Sequence, residues 1–388
     1  MSTTYPDTRD PVDLFLAGTQ ARLPGAYQLL GADCSYYTAK ISACLRYKRI
    51  PHQNVLATRA VFRNDILPRV GWPVIPVLLT PEGNTLQDTS EMFDHLERRY
   101  PTPATLPLDP AGRFLALLLE LAGDEWLKIP ALHYRWTYDA EFAACEFGYN
   151  NDPEAPLEKQ RELGRKIAAR FSGWTVPLGA NPSSIPCIEA EYRALLAGLD
   201  DHFASCPFLL GQAPTLADFA FYGPLHAHLY RDPVSGQILR QGFPQVVGWI
   251  RRMGAPPAAT HLPAAPPVPA SLLPVLRRLC RDCVPVLVAE QAVLAHWLAN
   301  TTEVELPRQL GTHEVVLGRG MSHEVTTQRA VFPYNRWMLQ RALAVYRDAD
   351  GDARRAIAAV AETIGAGALL DLPLAPLVQR RQFRLLRA

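Results

Sequence analysis

The sequence predicts an α/β domain at 27–103, an all-helical domain at 104–254 and a further, mainly helical extension at 270–388. Three observations carry this reading. A strand–helix–strand order leads into a proline-led hairpin and helix, apolar residues then recur at helical spacing, and a proline-rich connector at 255–269 interrupts the chain. Residues 1–26 are read as an N-terminal arm.

Tyr27-Gln28-Leu29-Leu30-Gly31 reads as a short buried strand, followed by a turn at Ala32-Asp33-Cys34-Ser35. Next, Tyr37, Ile41, Cys44, Leu45 and Lys48 fall at helical spacing, with the lysine stem along the edge. Arg49-Ile50-Pro51 stops that helix, and 52–57 reads as a second strand. After Val74-Ile75-Pro76, the run Val77-Leu78-Leu79 is strand-like and Pro81-Glu82-Gly83-Asn84 is turn chemistry. Proline at 76 removes an amide donor just before the strand, and the Ile75–Pro76 bond is expected to be cis. Asp88, Thr89 and Ser90 are N-cap types for a helix whose apolar face is Met92, Phe93 and Leu96. Such a helix start gathers unpaired N–H groups and the positive dipole end, a seat for a small carboxylate.

Leu115, Leu118, Leu119 and Ala122 mark one amphipathic helix, and Ile188, Tyr192, Leu195, Leu196 and Leu199 another. Between them Pro153, Pro156, Pro177, Pro182 and Pro186 break the pattern into shorter pieces. Thr215-x-x-Asp218 is a capping-box variant, and 244–253 closes the helical domain. In the extension, 272–299, 337–346 and 353–364 read as helices. A small hairpin is expected from 303–306 and 313–317 around Leu310-Gly311-Thr312. Arg380, Arg381, Arg384 and Arg387 read as a solvated basic end. The long apolar stretches of the extension are expected to pack against the helical domain and narrow its cleft.

At 388 residues, 48% hydrophobic and 20% charged, the composition is that of an ordinary soluble protein. A formal net charge of +1 gives no reason to expect nucleic acid or an anionic membrane. The apolar runs 114–119 and 284–289 end at Glu120 and Glu290, too short to span a bilayer. Seven scattered cysteines read as reduced thiols of a cytoplasmic protein, and Cys280-x-x-Cys283 lacks the partner pair a metal site needs. No metal is expected.

Four pieces occur in order over 27–253: Cys34-Ser35-Tyr36-Tyr37 with Lys40 and Leu45 to Ile50; Val74 to Leu78; Gln87 to Leu96; and Phe208 to Ala220. Together they resemble the glutathione transferase superfamily, whose N-terminal domain has a thioredoxin-like fold. The resemblance implies an enzyme that takes glutathione as co-substrate and activates its thiol for attack on an electrophilic, partly apolar small molecule. Detoxifying conjugation and glutathione-dependent isomerase, dehalogenase or etherase chemistry all fit. The alternative is a non-catalytic binding or assembly module on the same fold. The resemblance allows a homodimer.

A donor beside the thiol stabilises the thiolate and lowers its pKa. The resemblance places Ser35 at the usual serine or cysteine position, with Cys34 one residue earlier. Tyr36 stands where many relatives have proline, so Tyr36 and Tyr37 stay open as the hydroxyl donor. It further implies Ile75, beside Pro76, as backbone partner of the cysteinyl moiety, and Thr89 and Ser90 as contacts to the γ-glutamyl carboxylate. Asp88 would meet the ammonium or serve as a plain cap, and Arg69 would meet the glycyl carboxylate. The second-substrate cleft is assigned to Trp126, His133, Tyr134 and Trp136 near Glu125, aromatic side chains with polar tips that also suit core packing. Tyr222, His226 and Tyr230 read as core.

Overall fold

The computed structural model describes Phe15, residues 23–256 and residues 268–388. Most of the expected N-terminal arm, and residues 257–267 of the proline-rich connector, lie outside the described residues.

The N-terminal domain is β1 (Tyr27–Gly31), α1 (Tyr36–Tyr47), β2 (His52–Leu56), α2 (Arg59–Val61), α3 (Leu67–Val70), β3 (Val77–Leu79), β4 (Thr85–Gln87) and α4 (Thr89–Arg99). The sheet order is β2-β1-β3-β4, with β1 parallel to β2 and antiparallel to β3. Tyr27, Leu29 and Leu30 are all buried, as a strand covered on both faces requires. The Ser35 side chain caps α1 by accepting from the Thr38 N–H at 3.3 Å, and Arg49 at φ 51° turns the chain out of it. The stretch joining β2 to β3 carries α2 and α3 through a π-helical turn at Phe62–Ile66, elements absent from the expected order. Thr58 nonetheless caps the start of α2 by accepting from Val61 N–H at 3.3 Å, and Gly71 at φ 83° ends α3. Ile75–Pro76 is cis, as expected.

In the helical domain α5 (Pro110–Leu121) continues through a π-helical turn at Ala122–Trp126 into α6 (Lys128–Thr137). Then follow α7 (Ala140–Asn151), α8 (Leu157–Phe171), α9 (Ile185–Phe203), α10 (Leu216–Pro224), α11 (Pro233–Gly242) and α12 (Pro244–Gly254). The capping box of α10 is formed in full, and buried Asp218 also accepts from Leu209 N–H (2.8 Å) and Trp249 Nε1 (3.1 Å).

The extension holds α13 (Leu273–Asn300), β5 (Leu310–Leu317), β6 (Val325–Val331), α14 (Pro333–Asp348), α15 (Gly351–Ile364), β7 (Val378–Arg381) and β8 (Arg384–Arg387). Its hairpin differs from the expected one. β5 pairs with β6, while the 303–306 stretch lies along β8 through Leu306 N–H to Leu385 O and Arg387 N–H to Val304 O, both 2.9 Å. The basic end is a second hairpin, β7–β8, rather than a wholly solvated face. Leu339 of α14 and Ile357 of α15 join Leu29 and Leu118 in one hydrophobic core, so the extension is packed onto the rest of the molecule.

Candidate functional site

A buried ionic knot joins the three parts of the chain. Lys40 Nζ lies 2.8 Å from Glu120 and 2.6 Å from Asp124, and Ser90 Oγ donates to Glu120 at 2.7 Å. Arg341 of α14 closes the knot on Glu120 and on Asp94, the latter at 2.9 Å. Burial works against the Glu120 charge, but Arg341 and Lys40 outweigh it and hold that carboxyl below the usual range. Asp124 is pushed up by burial despite Lys40.

Beside this knot lies a cavity of about 310 Å³, at the small end of ligand pockets. Its inner wall is Ile75, Pro76, Asp88 and Thr89, with Tyr37 from α1. The helical domain adds Glu125, Lys128 and Leu132, and the extension adds Arg308, Tyr334, Arg380 and Arg384 among others. Among the described residues, neither the Ile75 backbone nor the Thr89 N–H has a hydrogen-bond partner. Both are open to a ligand.

Asp88 sits at φ 84°, a region that costs a non-glycine residue about 1–3 kcal/mol and gathers at functional sites. Its carboxylate is firmly held: Oδ1 accepts from Ser90 N–H (2.9 Å), Oδ2 accepts from the Tyr334 hydroxyl (2.7 Å), and Arg380 lies 3.7 Å away. Arg380, its side chain only 7% exposed, also donates to Gln87 Oε1 at 2.8 Å.

The expected site residues divide sharply. Ile75, Pro76, Asp88 and Thr89 come together on the cavity wall. Ser90 is buried against Glu120, and Arg69 is exposed on α3; neither lines the cavity. Cys34, Ser35 and Tyr36 do not line it either. Ser35 is engaged as the α1 cap. Burial, helped by Glu146, pushes the Cys34 thiol up to about 12, and Asn150 Nδ2 donates to its sulfur at 3.1 Å. At neutral pH Cys34 is therefore an unreactive thiol. The Tyr36 hydroxyl donates to the Asp124 carbonyl at 3.2 Å.

Tyr37 does line the cavity, with its hydroxyl 3.1 Å from the Asp124 carbonyl and 3.3 Å from Glu125 Oε1. Burial, with Tyr36 and Glu125 adding to it, raises its pKa well above the ordinary phenol value. Tyr37 is therefore a neutral hydroxyl donor.

None of the four residues assigned to the second-substrate cleft lines this cavity. Trp126 borders a separate void of about 60 Å³ and lies 5.3 Å from the Arg329 guanidinium. His133 pairs with Glu189 at 2.8 Å, Tyr134 is buried, and Trp136 stacks on Phe147. Glu125, Lys128 and Leu132 stand at the ordinary helical spacing i, i+3, i+7 and so share the face that meets the cavity, which leaves the four aromatic residues on other faces. Tyr222 and His226 stack on each other in the core.

Residues 29–104 match the model of the family Glutathione S-transferase, N-terminal domain, and residues 160–252 that of Glutathione S-transferase, C-terminal domain. The two domains belong to the glutathione S-transferase family. Among solved structures, a glutathione S-transferase from Rhodospirillum rubrum F11 is 19% identical, covering 62% of this chain and 96% of that one with a TM-score of 0.40. The beta-etherase from Sphingobium sp. strain SYK-6 is 17% identical, covering 60% and 97% with a TM-score of 0.38. A Pseudomonas fluorescens Pf-5 family member solved with two glutathione bound is 15% identical, covering 67% and 94% with a TM-score of 0.36. No curated protein matches the chain.

The glutathione S-transferase resemblance could not announce Lys128, Tyr334 or Arg380. The last two belong to the extension, beyond the matched residues. Val378 and Arg380 do share one strand face by alternation, but the β7–β8 turn uses Gln382 (φ 50°) and Phe383 (φ 64°) without the usual glycine or asparagine. Among the described residues, no cluster of three or more His, Cys, Asp and Glu side chains could hold a metal. No helix there is long and apolar enough to cross a membrane.

Proposed function

We propose that this chain binds glutathione in the 310 Å³ cavity and activates its thiol for transfer to an electrophilic small molecule. The observation that carries the reading is the unpaired Ile75 backbone, next to Pro76 and in line with the α4 start. An extended peptide can pair with that backbone as an added strand, while the Thr89 N–H and the helix dipole receive its amino-acid carboxylate. Asp88 offers a counter-charge to the ammonium. The thiol proton leaves to solvent, and the thiolate sulfur then forms a C–S bond with the electrophile as a leaving group departs with its electron pair. The protein need supply only a donor facing the sulfur. Tyr37 supplies that donor: its raised pKa keeps the phenol protonated, so its O–H can turn from the Asp124 carbonyl to the thiolate. The small cavity suits a compact electrophile. One observation favours a second reading, a binding module: the Ser35 hydroxyl is engaged as a helix cap away from the cavity.

Two measurements separate the readings. Calorimetric titration should show glutathione binding, and the ultraviolet thiolate absorbance of the complex, followed against pH, should report a bound-thiol pKa below that of free glutathione. Tyr37→Phe should raise that pKa by roughly one to two units, since a hydrogen bond to a charged group is worth about 1.5–3 kcal/mol. A bound thiol with its free pKa in the unaltered protein supports the binding module and removes the transferase reading.

A further inference from the structure

We propose that the C-terminal extension builds the outer half of this ligand site, with Arg308 and Arg384, gathered on the Trp72 indole, receiving the carboxylate at the far end of the bound peptide. The inference rests on the glutathione reading above. Ten of the 23 residues lining the cavity belong to the extension. The guanidinium carbon of Arg308 lies 4.0 Å from the Trp72 ring centroid, and that of Arg384 lies 6.0 Å from it. Two like charges held on one ring repel each other. Accordingly burial, and then Arg384, draw the Arg308 proton affinity down. Glu305 partly matches Arg384 at 3.4 Å, whereas Arg308 makes no ion pair among the described residues. The outer end therefore holds positive charge that the protein leaves uncompensated, on planar groups suited to bidentate carboxylate binding.

The inner end is built differently. There Arg380 is already matched by Asp88, by Glu91 at 3.3 Å and by Gln87. Gln87 pairs with Val77, so Asp88 and Thr89 sit beside Pro76, while Trp72 lies four residues upstream along the same wall. The wall thus offers an acceptor of carboxylate at each end and open backbone between. A peptide with a carboxylate at both ends matches it, and a peptide with one end neutralised does not.

The test uses the full chain and compares glutathione with its monoethyl ester, in which the glycyl carboxylate is neutral, by calorimetric titration. The unaltered protein should bind the ester at least about tenfold more weakly than glutathione. Arg308→Gln combined with Arg384→Gln should lose about that factor for glutathione while its ester affinity stays unchanged, so the discrimination disappears. The retained ester affinity also reports an intact fold. Equal affinity of the unaltered protein for both peptides overturns the proposal, as does undiminished discrimination in the double variant. If the unaltered protein binds no glutathione at all, the proposed function fails and takes this inference with it.

Discussion

Thr89 and Ser90 show how one residue step decides a role. The family resemblance gives both to the γ-glutamyl carboxylate, but adjacent positions on a helix point about 100° apart. Thr89 reaches the cavity, whereas Ser90 Oγ is spent on Glu120 inside the ionic knot. Thr89→Ala keeps the backbone N–H but removes the hydroxyl on the cavity wall, and losing this second donor to the carboxylate is expected to weaken glutathione binding by about tenfold. Ser90→Ala should instead cost about 1–3 kcal/mol of stability, because Glu120 loses a buried donor, and leave affinity nearly unchanged. Calorimetric titration and chemical denaturation of both variants check the split; a Ser90→Ala protein that is fully stable but binds poorly would reverse it. At this scale the sequence marked the right helix start, since cap chemistry is local. It could not choose between neighbours, because facing depends on what packs over the helix.

Among the elements, α13 carries a buried carboxyl with a pH consequence. Glu290 accepts from Asn335 Nδ2 at 2.6 Å, while Arg329 and His313 stand off at 3.7 Å and 3.9 Å. Burial dominates, with Arg329 opposing, and raises its pKa from an ordinary 4.5 to about 7. The folded chain therefore holds this proton where the unfolded chain has released it. Its contribution to stability is full below about pH 4.5 and is lost as pH rises toward 7, a change on the order of 3 kcal/mol. Glu290→Gln cannot ionise, so its stability relative to the unaltered protein should climb between those pH values in urea unfolding. A gap independent of pH would show that the carboxyl does not titrate in this window. The helix itself was readable from its periodicity, Pro274 and Pro285 notwithstanding. The π-helical turn at Ala122–Trp126 was not, because its extra residue shifts every later side chain to a new face and leaves no mark in composition.

Across the whole molecule, the extension behaves as a third wall. Its core residues Leu339, Leu343 and Ile357 are fully or almost fully buried, and Arg341 links it to Asp94 and Glu120. Removing Arg341 would leave Glu120 buried without its second cation, a loss of about 3–5 kcal/mol for a broken buried pair. We therefore expect that a protease site engineered into 257–267 can be cleaved without separating the pieces. The two fragments should co-elute in size-exclusion chromatography and unfold in one transition. Release of a folded extension, with the remainder as stable as before, would refute the packed arrangement.

The sequence by itself determined the thioredoxin-like order of strands and helices, the corner at Pro76, the α4 start and the capping box at Thr215. Each of these is written in residues a few positions apart, through turn chemistry, caps and periodicity. Only tertiary structure decided what faces the ligand. Tyr334 meets Asp88 across 246 residues and Arg380 meets Gln87 across 293. Contacts at such separations arise from the packing of whole elements on a shared core, and no local pattern encodes them.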